Sequence, residues 1–180
     1  FKRVQLWWWL PMAGFSLALG ADGLAADSDG PERTVADIRL ETAQLFGKLQ
    51  VLPLKITLDQ QQLSRLPTTY TNLAAYVPAE IRQGGQTYSK VGLRLRGVST
   101  FQTIEEKPNF TLKFNEFVAG QKLLGVRKVR LSNAAMDSTY LQEWLAWHLF
   151  TAAGVVTPRV NFARVELNGR DLGLYVLVEG

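Results

Sequence analysis

The sequence has no cysteine, and it has a single histidine among its 180 residues. Without cysteine the chain can form no disulfide, no thiolate nucleophile and no Cys-ligated zinc site. One histidine leaves very little material for a His-based metal cluster or for a Ser-His-Asp triad. These two shortages weigh against several classes of hydrolase.

The chain also lacks any long run of one charge, although it is mildly basic overall. Its 20 Lys and Arg residues against 16 Asp and Glu residues give a formal net charge of +4. No Lys/Arg-rich arm of the kind that marks a nucleic-acid-binding protein occurs, so we expect no nucleic-acid partner. The hydrophobic fraction of 47% and the charged fraction of 20% are typical of a globular chain. The length predicts one domain, or one domain with a processed leader.

Residues 1–26 have the order of a secretory signal peptide. A positively charged start precedes a largely apolar run from Val4 to Leu19, and small residues follow at Gly23 to Ala26. Because the apolar run is short for a membrane span, we expect cleavage at the end of these small residues; an uncleaved membrane anchor is the alternative. Residues 27–48 then read as a linker and irregular lead-in. A leader of this kind predicts a secreted, periplasmic or cell-surface protein.

Two short runs of alternating residues between Val91 and Phe114 flank a polar loop. A period of two places the apolar residues on one face of each run and Arg94, Arg96 and Lys113 on the other. If the two strands pair, these basic side chains share a face that the loop Gly97 to Thr100 overlooks. The pattern predicts an anion-binding surface, and its alternative is the ordinary solvated face of an antiparallel sheet.

Hairpin and helix signals complete the coarse order of the chain. Gly84-Gly85 and Asn168-Gly169 predict tight turns between strands. Thr139 with Gln142 three residues later predicts a capping box at the start of the clearest helix. Glu143 lies in the first turn of that helix, where a solvated acid favours the helix dipole. Strands and hairpins interrupted by one main helix predict an α+β fold with an antiparallel sheet.

Four segments together resemble the CotH (spore coat protein H) kinase family. They read TYSKVGLRLRGVSTF, EKPNFTLKF, LLGVRKVRLSNAAMDSTYLQEWLAWHLFTAAGVVTPR and VELNGRDLGLYVLVE. Members of that family are atypical, secretory-pathway-type kinases that bind ATP with a divalent metal and phosphorylate Ser or Thr on extracytoplasmic or coat proteins. Some fungal relatives are cell-surface adhesins. The resemblance runs from about Val51 to the last residue, and it implies that residues 49–180 are the N-terminal part of a kinase domain with an N-lobe-like fold.

The resemblance also implies a set of ATP-binding residues. They are Arg96, Gly97, Ser99, Lys107, Lys113, Glu143 and Glu179. The glycine and the serine would form the loop over the phosphates, and the arginine with one of the two lysines would neutralise them. Glu143 would hold that lysine by an ion pair, and Glu179 would lie at the hinge, where backbone groups meet adenine. Lys107 is favoured slightly over Lys113 as the central cation.

The sequence departs from the family pattern at several points. Val98 replaces a polar side chain in the phosphate loop, and Gln142 stands where an arginine is common. The catalytic-base aspartate and the metal-binding aspartate of the family are expected beyond Gly180. No catalytic or metal-binding residue is therefore assigned here, although ATP with Mg or Mn is the implied cofactor. We expect these 180 residues to be inactive alone.

Three functions follow from these observations. The first is an enzyme: the full-length protein would be a secreted CotH-type kinase acting on an extracytoplasmic protein substrate. The second is a non-catalytic CotH-like module for cell-surface adhesion or coat assembly. The third is a secreted sheet domain that binds an anionic glycan through Arg94, Arg96 and Lys113. In each case the membrane would be contacted only through an uncleaved leader.

Overall fold

The computed structural model describes residues 34–180. The strands are β1 (Val51–Thr57), β2 (Val77–Gln83), β3 (Gln86–Arg96), β4 (Asn109–Lys113), β5 (Lys128–Ser132), β6 (Val160–Leu167) and β7 (Arg170–Glu179), and the helices are α1 (Val35–Phe46), α2 (Gln60–Leu63) and α3 (Gln142–Ala152). The predicted signal peptide at residues 1–26 lies outside the described residues. No helix in this part of the chain has the length and the apolar character needed to cross a membrane.

The seven strands form a closed barrel in the order β1-β2-β3-β4-β5-β7-β6. Strands β1 and β6 close it by pairing in parallel, with Val51 opposite Phe162, whereas every other neighbouring pair is antiparallel. The predicted α+β fold, an antiparallel sheet with one main helix like a kinase N-lobe, is therefore wrong. Alternation identifies a strand and its buried face, but it carries no information about a partner that lies more than 100 residues away along the chain.

The interior of the barrel is filled by the apolar members of each alternating strand. In β1 the side chains of Leu52, Leu54 and Ile56 point inward and are buried, while their neighbours are exposed. The same period buries Leu93 and Leu95 in β3. A strand therefore carries its polar residues on the outer face, where they are available for a site.

Helix α1 lies in the stretch predicted as a linker and irregular lead-in, and it packs against the barrel. The hydroxyl of Thr34 caps its first turn, and Leu45 near its end is fully buried in the core. The buried side chain of Asn161 in β6 donates hydrogen bonds to the carbonyl oxygens of Leu45 (2.7 Å) and Lys48 (2.9 Å). These bonds hold the end of the helix on the barrel.

Helix α3 packs on the outside of the barrel, over β6 and β7. Its Trp144 and Trp147 contact a small apolar cluster that is formed by outward-facing residues of the two strands. The capping box predicted from Thr139 and Gln142 is wrong. The carboxylate of Asp137 accepts hydrogen bonds from the backbone N–H groups of Gln142 (2.8 Å) and Thr139 (3.1 Å) instead. The helix start is thereby fixed by an acid five residues upstream.

Both predicted hairpins are confirmed. Gly84 and Gly85 join β2 to β3, and Asn168 and Gly169 join β6 to β7. Asn168 and Gly169 have positive φ angles of 48° and 83°, as a tight turn of this type requires.

Candidate functional site

The outer face of β3, β4 and β5 carries a row of arginines. Arg94 lies opposite Thr111 across the β3–β4 pair, and Thr111 lies opposite Arg130 across the β4–β5 pair. The predicted pairing of the two basic runs is confirmed, and Arg96 lies on the same face two residues beyond Arg94. Strand spacing of about 4.8 Å places the backbones of Arg94 and Arg130 about 10 Å apart, with a buried threonine between them.

Arg94 and Arg130 are half-buried and short of hydrogen-bond partners. The Nε atom of each is buried and has no hydrogen-bond partner within residues 34–180. The guanidinium of Arg94 lies 4.9 Å from the centre of the Tyr76 ring, and Nη2 of Arg130 donates to the carbonyl oxygen of Glu179 (3.2 Å). A buried N–H group without a partner costs free energy, and a charged one costs more. The pair is therefore suited to an added acceptor with negative charge.

Glu143 of α3 opposes the positive charge of this face. Burial is the main cause that lowers the pKa of Arg96, the charges of Arg130 and Arg94 lower it further, and the charge of Glu143 raises it. These four side chains therefore interact electrostatically. Arginine stays protonated under all ordinary conditions. The three neighbouring arginines therefore give this face an excess of positive charge, which the carboxylate of Glu143 only partly offsets. An anion would complete the balance.

A cavity of about 200 Å³ lies beside the arginine face. Thr100, Asn133, Asp137 and Glu143 are among the residues that line it, and none of the three arginines does. The hydrogen bond from the Thr139 hydroxyl is the main cause that lowers the pKa of Asp137, so this carboxylate is ionised. Its oxygens already accept hydrogen bonds at the start of α3. Small-molecule pockets usually exceed about 300 Å³. The cavity is too small for a whole nucleotide, and its two carboxylates would repel a phosphate group, so the anion-binding surface is the arginine face beside it.

A buried amide network holds the loop between β3 and β4 against the loop after β5. Asn109 donates to the backbone and side-chain oxygens of Thr100 (both 3.1 Å) and accepts from the backbone N–H of Asn133 (2.7 Å). The side chain of Asn133 in turn donates to the carbonyl oxygen of Lys107 (2.7 Å). Both walls of the cavity are thus fixed by two asparagines that the sequence patterns did not single out.

The two candidate lysines lie apart from Glu143. Nζ of Lys107 donates to the hydroxyl of Tyr140 (2.7 Å) and lies 4.9 and 5.1 Å from the ring centres of Tyr140 and Tyr175. Lys113 forms an ion pair with Glu116 (2.7 Å). Over residues 34–180 neither lysine forms an ion pair with Glu143, whose charge acts instead on Arg96.

Gly97 and Ser99 lie where β3 turns away from the barrel. Gly97 has φ 102°, and a Cβ atom added there would lie 2.9 Å from Oγ1 of Thr100 and 3.2 Å from Nδ2 of Asn109. Ser99 is exposed at the tip of the turn. The turn therefore depends on glycine both for its backbone angle and for its close approach to the asparagine network.

Replacing Gly97 by alanine is expected to lower the free energy of unfolding by about 2 kcal/mol. The positive φ angle is unfavourable for alanine, and the added methyl group would be crowded by Thr100 and Asn109. Unfolding in urea measures the change. Gly85→Ala is the matched control, since Gly85 has ordinary backbone angles and open space around it. Equal losses in the two variants would contradict the crowding at Gly97.

Glu179 is held by two arginines at the end of β7. Its carboxylate forms a two-pronged ion pair with Arg159, at 2.6 and 2.8 Å, which lowers the pKa of the carboxyl group. Its backbone N–H donates to the carbonyl oxygen of Arg159 (2.9 Å), and its own carbonyl accepts from Arg130. Both backbone groups that a hinge would offer to adenine are thus already bonded.

Arg130 is the functional candidate that sequence reasoning missed. It alternates with the buried residues Val129 and Leu131 in β5, so its outward direction could have been predicted from the same period of two. What the sequence does not show is that β5 lies next to β4, which brings Arg130 opposite Thr111.

The implied cofactor fits this site in part. The guanidinium groups of Arg94 and Arg130 suit a phosphate group. Residues 34–180 contain no group of three His, Asp or Glu side chains that could hold a metal ion. The face can therefore bind the anionic part of a nucleotide, and we assign no metal ligand to it.

Comparison with known proteins identifies the segment that carries this site. A family model described as CotH kinase protein matches residues 93–180. No curated protein matches the sequence. The matched segment includes all three arginines, Glu143 and the β6–β7 hairpin, although it begins later than the Val51 start of the resemblance. The resemblance to the CotH kinase family is thereby confirmed over residues 93–180.

Proposed function

We propose that this protein works as a secreted or cell-surface protein kinase of the CotH type. It would use ATP with Mg or Mn to phosphorylate serine or threonine on an extracytoplasmic or coat protein. The observation that supports the proposal best is the pair Arg94 and Arg130, whose buried Nε groups have no partner within residues 34–180. This pair lies in the CotH-matched segment, on the face that also carries Arg96.

In this proposal the chain binds and orients the phosphates. Phosphoryl transfer depends mainly on positioning and on neutralising charge, and ATP with its metal supplies the transferred group when bound. The planar guanidinium groups of Arg94 and Arg130 can each donate two hydrogen bonds to phosphate oxygens. The charge of Glu143 partly offsets the positive charge around Arg96. The asparagine network fixes the loop that covers the phosphate.

A second candidate function is a non-catalytic adhesion or coat-assembly module. Helix α3 and the turn after it expose several large apolar residues, among them Leu149 (69% exposed) and Val156 (99% exposed). Exposed apolar clusters of this kind often mark contacts with other proteins. This role would need the same barrel but no nucleotide.

Two assays separate the proposals. Titration calorimetry of the native protein with MgATP and MnATP measures binding, and transfer of labelled phosphate from γ-labelled ATP to the protein itself measures activity. Metal-dependent labelling is the result expected of the full-length protein. Failure to bind either complex at millimolar concentration would overturn the kinase proposal. Binding of a sulfated glycan in place of ATP would assign the arginine face to glycan recognition.

A further inference from the structure

The loop between β3 and β4 is held at its far side by one arginine of the β6–β7 hairpin. The guanidinium of Arg170 donates hydrogen bonds to the carbonyl oxygens of three successive residues, Ile104, Glu105 and Glu106, the last at 3.2 Å. Charge-assisted hydrogen bonds of this kind are stronger than neutral ones. Three of them on consecutive carbonyls fix both the position and the direction of the segment.

Arg170 projects from a turn that is itself immobilised on the barrel. The side chain of Asn168 accepts from the backbone N–H of Leu58 (2.8 Å) and donates to the carbonyl oxygen of the same residue (2.9 Å). The backbone N–H of Asn168 donates to the carbonyl oxygen of Ile56 (2.9 Å). Arg170, two residues later, therefore reaches the loop from a fixed base.

The segment that Arg170 holds leads directly to the cavity. The carboxylate of Glu106 accepts from the backbone N–H of Thr103 (2.9 Å), which closes the held segment into a turn. The next residue, Lys107, offers its carbonyl oxygen to the side chain of Asn133 (2.7 Å), which lines the cavity. A shift of the three carbonyls would therefore be passed on to a wall of the site through one peptide unit and one hydrogen bond.

We propose that Arg170 is a positioning residue for the anion site, although it lies outside that site. It holds residues 103–107 in place, and through Lys107 and Asn133 it keeps the cavity wall aligned with the arginine face. Its effect on ligand binding rests on the proposed nucleotide function, whereas its effect on the loop does not. The two effects can therefore be measured separately.

The test compares Arg170→Ala and Arg170→Lys with the matched control Arg164→Ala. Arg164 lies on the same hairpin, is exposed and pairs with Asp171, so the control removes an equal charge without touching the loop. Hydrogen exchange followed by mass spectrometry reports the backbone amides of residues 103–107, and calorimetry reports MgATP affinity. In Arg170→Ala we expect these amides to exchange about tenfold faster and MgATP to bind about tenfold more weakly. Lysine can reach one carbonyl oxygen at a time, so Arg170→Lys should give intermediate values in both measurements.

Each outcome decides one claim. Unchanged exchange at residues 103–107 in Arg170→Ala, or an equal change in Arg164→Ala, would overturn the role of Arg170 in holding the loop. Faster exchange with unchanged MgATP affinity would overturn its role in the site. If the unaltered protein binds no MgATP, the proposed function fails, and the exchange rates still decide whether Arg170 holds the loop.

Discussion

Replacing Arg130 by alanine is expected to weaken the binding of MgATP by one to two orders of magnitude. A hydrogen bond from the guanidinium to a phosphate oxygen contributes about 1.5–3 kcal/mol, and the loss of one such bond corresponds to about one to two orders of magnitude in affinity. Arg130 also has an unbonded buried Nε atom. Its removal should therefore change the free energy of unfolding by less than about 1 kcal/mol. Calorimetry gives the affinity, and urea unfolding confirms that the variant remains folded.

Two further variants sharpen the test of Arg130. Arg130→Lys keeps the charge but loses the planar two-donor geometry, so its affinity should fall between those of the unaltered protein and of Arg130→Ala. Arg82→Ala is the matched control, because Arg82 is an exposed strand arginine that pairs with Glu80 outside the arginine row. Equal affinities in Arg130→Ala and Arg82→Ala would remove the arginine row from the proposed site.

Replacing Asn109 by alanine is expected to give the largest loss of stability, about 3 kcal/mol in the free energy of unfolding. The side chain is 4% exposed and makes three hydrogen bonds that join β4 to Thr100 and to Asn133. Alanine would leave the backbone N–H of Asn133 buried without an acceptor, which is more costly than losing both partners of a bond. Urea unfolding measures the loss.

Asn109→Asp separates the two halves of this network. Aspartate still accepts from the backbone N–H of Asn133, but it cannot donate to the carbonyl oxygen of Thr100. Its loss of stability should be smaller than that of Asn109→Ala, because the backbone N–H of Asn133 keeps an acceptor. Asn72→Ala controls for the removal of an asparagine at an exposed position. A loss below about 1 kcal/mol in Asn109→Ala would show that the loop is held by other contacts.

Local patterns predicted those parts of this structure that depend on neighbouring residues. The period of two in β3 correctly placed Arg94 and Arg96 opposite the buried face, and the dipeptide Asn168-Gly169 correctly marked a hairpin. These features need only the geometry of a strand and of a tight turn. The family resemblance, confirmed at residues 93–180, likewise rests on short motifs.

The remaining features depend on contacts between distant parts of the chain. Lys107 is enclosed by Tyr140 and Tyr175, which follow it by 33 and 68 residues in the sequence, so no local pattern shows that its ammonium group is already bonded. The closed barrel likewise depends on a parallel pair of remote strands. The same strand order also fits an open, N-lobe-like sheet. Alternation of apolar and polar residues does not show whether the two edge strands of a sheet pair with each other and close it into a barrel.

The parallel pairing of β1 with β6 also has a consequence for the kinetics of folding. On the side away from β2, residues Val51 to Ile56 pair with Phe162 to Leu167, so the last gap of the barrel spans more than 100 residues of intervening chain. Chain entropy opposes the early formation of so distant a contact, and proteins dominated by such contacts fold slowly. During synthesis β1 could pair with β2, but its other edge would stay unpaired until β6 had emerged from the ribosome. The barrel should thus assemble late and cooperatively, and the unpaired side of β1 is where a partly made chain would be most open to mispairing.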